Sequence, residues 1–241
     1  MDSIVNYTLQ SISETSILVT FESPFQPNLS IRIGQIAAYI HAELGECVMN
    51  ITPAYTTILI DYLPYRITPQ EFEQRLRHGL AHSYDLPPVP VKPIELPVYY
   101  HSEVGPDLAS YQQQGLSLTE LITLHTQHVY TVCAIGFSPG FAFMTDVHPK
   151  LQRPRRTTPR LCVPRGSVAI AEQQTAVYPN HSPGGWNLIG NCPITLFNPE
   201  QDPMLPWTIG SKVTFYSIDR KEFLALGGVI QPQLFQREGN V

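Results

Sequence analysis

The chain has 241 residues, 43% of them hydrophobic and 15% charged, with a formal net charge of −5. That composition describes a globular chain long enough for one large or two small cores, and its negative charge argues against nucleic acid as a partner. No 18-residue apolar run marks a membrane span, and the opening MDSIVNYTLQSISETS lacks the basic-then-apolar pattern of a secretory signal, so the expected location is the cytoplasm.

The first 83 residues alternate cleanly between two periods. VNYTLQSI (5–12) and SILVTFE (16–22) read as strands, with Ile17, Val19 and Phe21 on one face. Over 28–44, Leu29, Ile33, Ile36, Ala37, Ile40 and Leu44 form a helical stripe that Gly45 ends. CVMNITP (47–53) and TTILIDY (56–62) are two more strands. Thr68-Pro69-Gln70-Glu71 is a capping box with Pro at the first helical position, and Phe72, Leu76 and Leu80 follow at helical spacing. The order ββαββα predicts a small sheet with two helices on one face. Residues 85–97, DLPPVPVKPIELP, carry five prolines and predict an extended linker between a domain at 1–84 and one at 98–241.

In the second domain, Gly105-Pro106-Asp107 predicts a helix start, and Ser117-Leu118-Thr119-Glu120 a second capping box. The helix that follows carries Leu118, Leu121, Ile122 and His125 on one stripe. VYTVCAIGF is a strand running into IGFSPGFAF (135–143). After Pro164, SVAIA, TAVYP, WNLIG, ITLFNP and KVTFYSI read as strands, and only 219–226 as helix. Short strands with regular turn signals predict a small closed barrel. The fold class is therefore α+β.

The four cysteines, Cys47, Cys133, Cys162 and Cys192, form no C-x-x-C pair and no zinc spacing, and are expected as reduced thiols. The candidate chemistry lies elsewhere. IGFSPGFAF (135–143) and SPGGWNLIG (182–190) are two Gly- and Pro-rich loops bounded by apolar residues. Such loops present backbone amides to a ligand, or simply turn strands tightly. His181 to Trp186 could face an anion with its amides as a nest, with Trp186 as a wall. Between the loops, residues 150–165 hold Lys150, Arg153, Arg155, Arg156, Arg160 and Arg165 and no acidic residue. That segment is either solvated or a surface for carboxylate and phosphate oxygens. His125 is either a satisfied core histidine or a general acid/base. Asp107 caps a helix, or pairs with Glu103 around a polar substrate or metal. Gln173, Gln174 and Thr175 are neutral groups suited to an amide or carboxylate. Ser138 and Ser182 stand in no G-x-S-x-G elbow, and no P-loop motif occurs.

GPDL (105–108), IGFSPGFAFM (135–144), PRRTTPRLCVPRGSVAIA (154–171), QTAVYPNHSPGGWNLIG (174–190) and PITLFNP (193–199), in that order, resemble the KipI/PxpB family, also called allophanate hydrolase subunit 1. The resemblance implies a DCoH-like first domain and a cyclophilin-like closed β-barrel. It implies the PxpB-type component of an ATP-dependent 5-oxoprolinase, which opens 5-oxoproline to L-glutamate with ATP and Mg bound by or shared with PxpC-type (allophanate hydrolase subunit 2) and PxpA-type (LamB/YcsF) subunits. Other members imply inhibition of a sensor histidine kinase, or a carboxyltransferase role. No protein-bound metal is expected. The implied catalytic residues are His125 and Asp107. The implied substrate-binding residues are Phe137, Pro139, Gly140 and Phe141 of the first loop and Ser182, Pro183, Gly184, Gly185 and Trp186 of the second, and the chemistry of the residues themselves adds Arg155, Arg156 and Gln174.

Overall fold

A computed structural model of the chain describes residues 6–24, 26–83 and 93–231. It divides into two compact units, Met1–Val91 and Lys92–Val241.

In the first unit, β1 (Tyr7–Ser13), β2 (Ser16–Phe21), β3 (Val48–Ala54) and β4 (Thr57–Tyr62) pair antiparallel in the order β1-β2-β4-β3. α1 (Pro27–Leu44) and α2 (Pro69–Ser83) supply the other layer. Alternation in β2 and β4 turns Ile17, Val19, Phe21, Ile58, Ile60 and Tyr62 to one face. The helical stripe Ile33, Ile36, Ile40 and Leu44 and the trio Phe72, Leu76 and Leu80 complete that core. Thr68 accepts the Glu71 amide at 3.3 Å, as the capping box requires.

The second unit holds β5 (Ile94–Val98), α3 (Leu108–Gln113), α4 (Leu118–Thr126), β6 (Tyr130–Ile135), β7 (Ala142–Thr145), β8 (Arg160–Val163), β9 (Ser167–Ala171), β10 (Gln174–Val177), β11 (Ser182–Gly184), β12 (Asn187–Asn191), β13 (Lys212–Ser217) and α5 (Arg220–Ala225). Its main sheet runs β5-β13-β6-β7-β10-β9-β12. Every ladder in it is antiparallel except β5 with β13. β8 and β11 form a separate two-stranded ladder. The fold is thus mixed α/β with a mostly antiparallel sheet.

Three sequence expectations need correction. The sheet is not closed into a barrel: Tyr99 and Asn191 form one isolated bridge, with reciprocal amide bonds of 2.9 and 3.0 Å. Both chains turn away there. The Gly105 amide closes a turn on the His101 carbonyl, and the Cys192 amide bonds to Gly166, so no second residue pair lines up. The linker also ends early. Residues 84–92 lie outside the described residues, but Ile94 to Val98, including Pro97, is strand. β5 has only β13 as a strand partner among the described residues, and an edge strand tolerates the missing N–H of proline. Finally, ITLFNP (194–199) is not a strand; Leu196 is buried while Ile194 is exposed, without a ladder between them.

Candidate functional site

The first loop joins β6 to β7 and folds on itself. The Gly136 amide donates to the Phe141 carbonyl at 3.0 Å, and the Phe141 amide to the Ser138 carbonyl at 3.0 Å. Gly140 sits at φ +85, where side chains are disfavoured, and a Cβ there would come within 2.9 Å of Phe197. The tight turn leaves Phe137 64% exposed and Pro139 at the surface. Behind it lies an open, apolar hollow of about 480 Å³ walled by the loop, Phe197, Met204 and Leu205.

The second loop is more regular than expected. Ser182, Pro183 and Gly184 are β11, registered with Val163 and Arg160 of β8. Neither Gly184 nor Gly185 has a positive φ, so the expected anion-binding nest does not form: it needs an alternation of left- and right-handed residues. Gly184 is instead required by packing, since any Cβ would strike the Tyr178 hydroxyl.

Aromatic rings join the two loops. Phe141 meets Trp186 edge-on at 5.6 Å, Tyr178 at 5.1 Å and Phe143 at 4.8 Å, and Phe143 reaches Trp186 at 5.8 Å. Phe137 touches Phe141 at 5.3 Å. Phe141, Tyr178 and Trp186 are buried in a core cluster of their own with Val163, Ala169, Ala171, Ala176 and Leu188. Edge-to-face packing of this kind contributes about 0.5–1.5 kcal/mol per pair beyond area burial.

Asp107 lies beneath this junction and does not cap its helix through the side chain. Its Oδ1 accepts from Arg156 Nη1 at 3.0 Å and Arg160 Nη2 at 2.9 Å, and its Oδ2 accepts the Leu188 amide at 2.7 Å. Arg160 is 4% exposed, so this is a buried ion cluster tying α3 to β8 and β12. Glu103 has other partners. It accepts from the Tyr99 hydroxyl at 2.6 Å and Arg220 Nε at 3.2 Å, and these hold its carboxyl below the usual range. The expected Glu103–Asp107 pair is therefore not a unit.

His125 is fully buried, stacked on Phe215 at 4.6 Å. The Tyr100 hydroxyl lies 2.7 Å from its Nδ1, and Thr175 Oγ1 3.1 Å from its Nε2. The Thr175 hydroxyl donates to the Ala169 carbonyl at 3.1 Å, so its oxygen is left to accept from the ring. That assigns the proton to Nε2 and makes Nδ1 the acceptor from Tyr100. Burial pushes the imidazole pKa down to about 3, with His128 adding to the effect. Of the two sequence readings, this geometry is that of the satisfied core histidine: both nitrogens are used and neither is exposed. Asp107, equally occupied, holds the loops in place; its oxygens already carry three donors.

The structure thus gathers Phe137 and Arg155 around the buried Phe141–Trp186 contact, ties Arg156 to Asp107, and leaves His125 beside a different core. Gln174 is half-buried at the start of β10. Sequence reading misses Tyr178 and Phe143, which cement the loops, and it shows Arg160 as basic without showing Asp107 as its partner. The aromatic clustering around the loops is the available signal. Among the described residues no three His, Cys, Asp or Glu side chains stand together as a metal site.

This two-loop, mixed α/β arrangement belongs to a known class. The family model "Carboxyltransferase domain, subdomain C and D" matches residues 7–207, and the chain belongs to that family. It is 31% identical, over 92% of its length and 97% of the other, to the 5-oxoprolinase subunit designated B in Bacillus subtilis. It is 35% identical to the subunit of the same designation in Escherichia coli O157:H7, over 85% of this chain and 93% of that one. Among solved structures, TTHA0988 superposes with a TM-score of 0.75 at 29% identity, covering 88% of this chain and 40% of that one. This chain therefore spans about two fifths of that longer chain.

Proposed function

We propose that this chain is the PxpB-type component of an ATP-dependent 5-oxoprolinase, which opens the lactam of 5-oxoproline to L-glutamate. The observation that carries the reading is the near-full-length similarity to 5-oxoprolinase subunits, together with the face that Phe141 and Trp186 build from two loops distant in sequence. Around the two loops stand an exposed ring at Phe137, a cation at Arg155 beside Trp186, and an apolar hollow behind the first loop, groups that suit a small ring bearing a carboxylate. Among the described residues it supplies no metal set, and its buried carboxylate is already occupied.

A lactam is unreactive until its oxygen is activated, and ATP with Mg, bound by or shared with companion subunits of the PxpC (allophanate hydrolase subunit 2) and PxpA (LamB/YcsF) types, would supply that activation by phosphorylation. This chain binds and orients. The finer fold reading, DCoH-like in the first unit and cyclophilin-like in the second, goes with the same family, as does a cytoplasmic location. Among the described residues no helix is long and apolar enough to cross a membrane.

The test is reconstitution. Mixing this chain with companions of both types should give ATP hydrolysis that depends on 5-oxoproline, with glutamate formed in equal amount and none from this chain alone. A silent mixture of folded subunits would sink the reading. The family description favours a second one, a carboxyltransferase role; carboxyl transfer from carboxybiotin in the same mixture, without glutamate formation, would establish it instead.

A further inference from the structure

The basic segment 150–165 is not one surface. Lys150 pairs with Glu120 at 2.8 Å. Arg153 lies over the Tyr111 ring at 4.5 Å, half-buried. Arg156 and Arg160 are bound to Asp107, and Arg165 donates to Thr195 at 2.8 Å. Arg155 is the exposed arginine of the segment that lies beside the aromatic junction of the two loops: its guanidinium is 5.9 Å from the Trp186 ring centroid, and among the described residues it meets no carboxylate.

Its position is nevertheless fixed. On its C-terminal side the Arg156 amide donates to the Gly185 carbonyl at 2.7 Å. On its N-terminal side Asn187 Nδ2 donates to the Pro154 carbonyl at 2.9 Å, and the Glu172 amide to the Arg153 carbonyl at 2.6 Å. The extended segment is therefore pinned before and after Arg155. The two flanking arginines turn inward to Asp107 and Tyr111, and Arg155 is left over the indole. A guanidinium at cation–π distance from a ring keeps its N–H groups available for an oxyanion, and the ring contact restricts the side chain before a ligand arrives.

We infer that Arg155 is the specificity-determining residue for the ligand's carboxylate, held on Trp186 where the two loops meet. The inference rests on the 5-oxoprolinase reading and deepens it by naming the group that separates 5-oxoproline from a plain lactam. A phosphate oxygen offers the same chemistry, so the test separates the two sources.

The complex reconstituted with both companion types is assayed with wild-type chain, Arg155→Ala and Arg155→Lys. Loss of a charge-assisted, two-point contact should raise the KM for 5-oxoproline about ten- to hundredfold in Arg155→Ala, with Arg155→Lys between and the KM for ATP unchanged. In parallel, tryptophan fluorescence of the ATP-free complex is titrated with 5-oxoproline and with 2-pyrrolidinone, which lacks the carboxylate. Wild type should bind 5-oxoproline more tightly, and Arg155→Ala should bind the two alike. A KM for 5-oxoproline within twofold of wild type, an equal loss for both ligands, or a rise confined to ATP would each overturn the assignment. A wild-type complex that discriminates the two ligands, with Arg155→Ala losing that difference, yet makes no glutamate would overturn the enzymatic reading and leave Arg155 as the carboxylate anchor.

Discussion

Phe141 and Trp186, 45 positions apart in the chain, meet edge to face with ring centroids 5.6 Å apart, and this contact makes two loops into one surface. Phe141 is 1% exposed and Trp186 4%. Phe141→Ala should cost about 3–5 kcal/mol, the usual range for emptying a buried aromatic site. It should also speed amide exchange in 182–186, since the second loop loses its wall. Denaturant melts and hydrogen exchange check both; a variant with unchanged exchange in the second loop would mean that the loops are independent.

Asp107→Asn removes the charge that two arginines share. Arg160 is then buried beside a neutral amide, and breaking a buried pair from one side costs about 3–5 kcal/mol. Replacing Asp107 also weakens the 2.7 Å bond to the Leu188 amide, so β12 should loosen with α3. An equilibrium denaturation midpoint measures the loss. A loss below about 1 kcal/mol would show that the cluster is solvated and worth little.

The titration of His125 sets an acid limit on the fold. Its folded pKa lies near 3, below the ordinary 6.5, so the folded state resists a proton that the unfolded chain accepts. The sign follows: this contribution is complete above about 6.5 and is lost as pH falls toward 3, by up to about 1.4 kcal/mol per pH unit. Comparing stability from pH 8 to pH 4 in wild type and His125→Gln should show a steeper acid slope in wild type, whatever the variant's absolute stability. Parallel slopes would refute it. Activity of the complex, by contrast, should show no ionisation assignable to His125 at neutral pH.

Gly140→Ala combines two penalties. The residue sits at φ +85, and its new methyl would stand 2.9 Å from Phe197 Cβ and 3.0 Å from Leu205. A cost of about 1–3 kcal/mol is expected, with the hollow behind the first loop reshaped. Gly115, at φ +87 with nothing within 4 Å of a Cβ, is the control: Gly115→Ala carries the backbone strain without the collision and should cost less. Thermal melts of the pair decide it.

Much of the fold is legible in the sequence because it rests on short-range pattern. Ile17, Val19 and Phe21 alternate, Phe72, Leu76 and Leu80 recur every four residues, and Ser117 accepts the Glu120 amide as its spacing implies. What is not legible depends on long-range pairing. Asp107 finds partners 49, 53 and 81 positions away, and His125 finds Tyr100 and Thr175 at 25 and 50. A sequence shows a carboxylate at a helix start or a histidine on an apolar stripe, but not whether its lone pairs are already taken. Pro97 misleads for a related reason. Whether a proline can stand in a strand depends on which neighbour is absent, and only the pairing of β5 with β13 shows that. Conversely, the loops themselves are legible as special, because glycines at such places are forced either by φ, as at Gly140, or by a neighbour's hydroxyl, as at Gly184.

The parallel pairing of β5 with β13 also governs when the second unit can be finished. Ile94 to Val98 register with Val213 to Ser217, so the first strand of the unit waits for nearly the last. More than a hundred residues of sheet, loops and ion cluster are synthesised between them. Among the described residues the N-terminal strand of this unit has no ladder until Ser217 has left the ribosome, so its pairing is a late, non-local event. A chain stopped before Lys212 would carry both loops and still lack the one strand that pairs with β5 among the described residues.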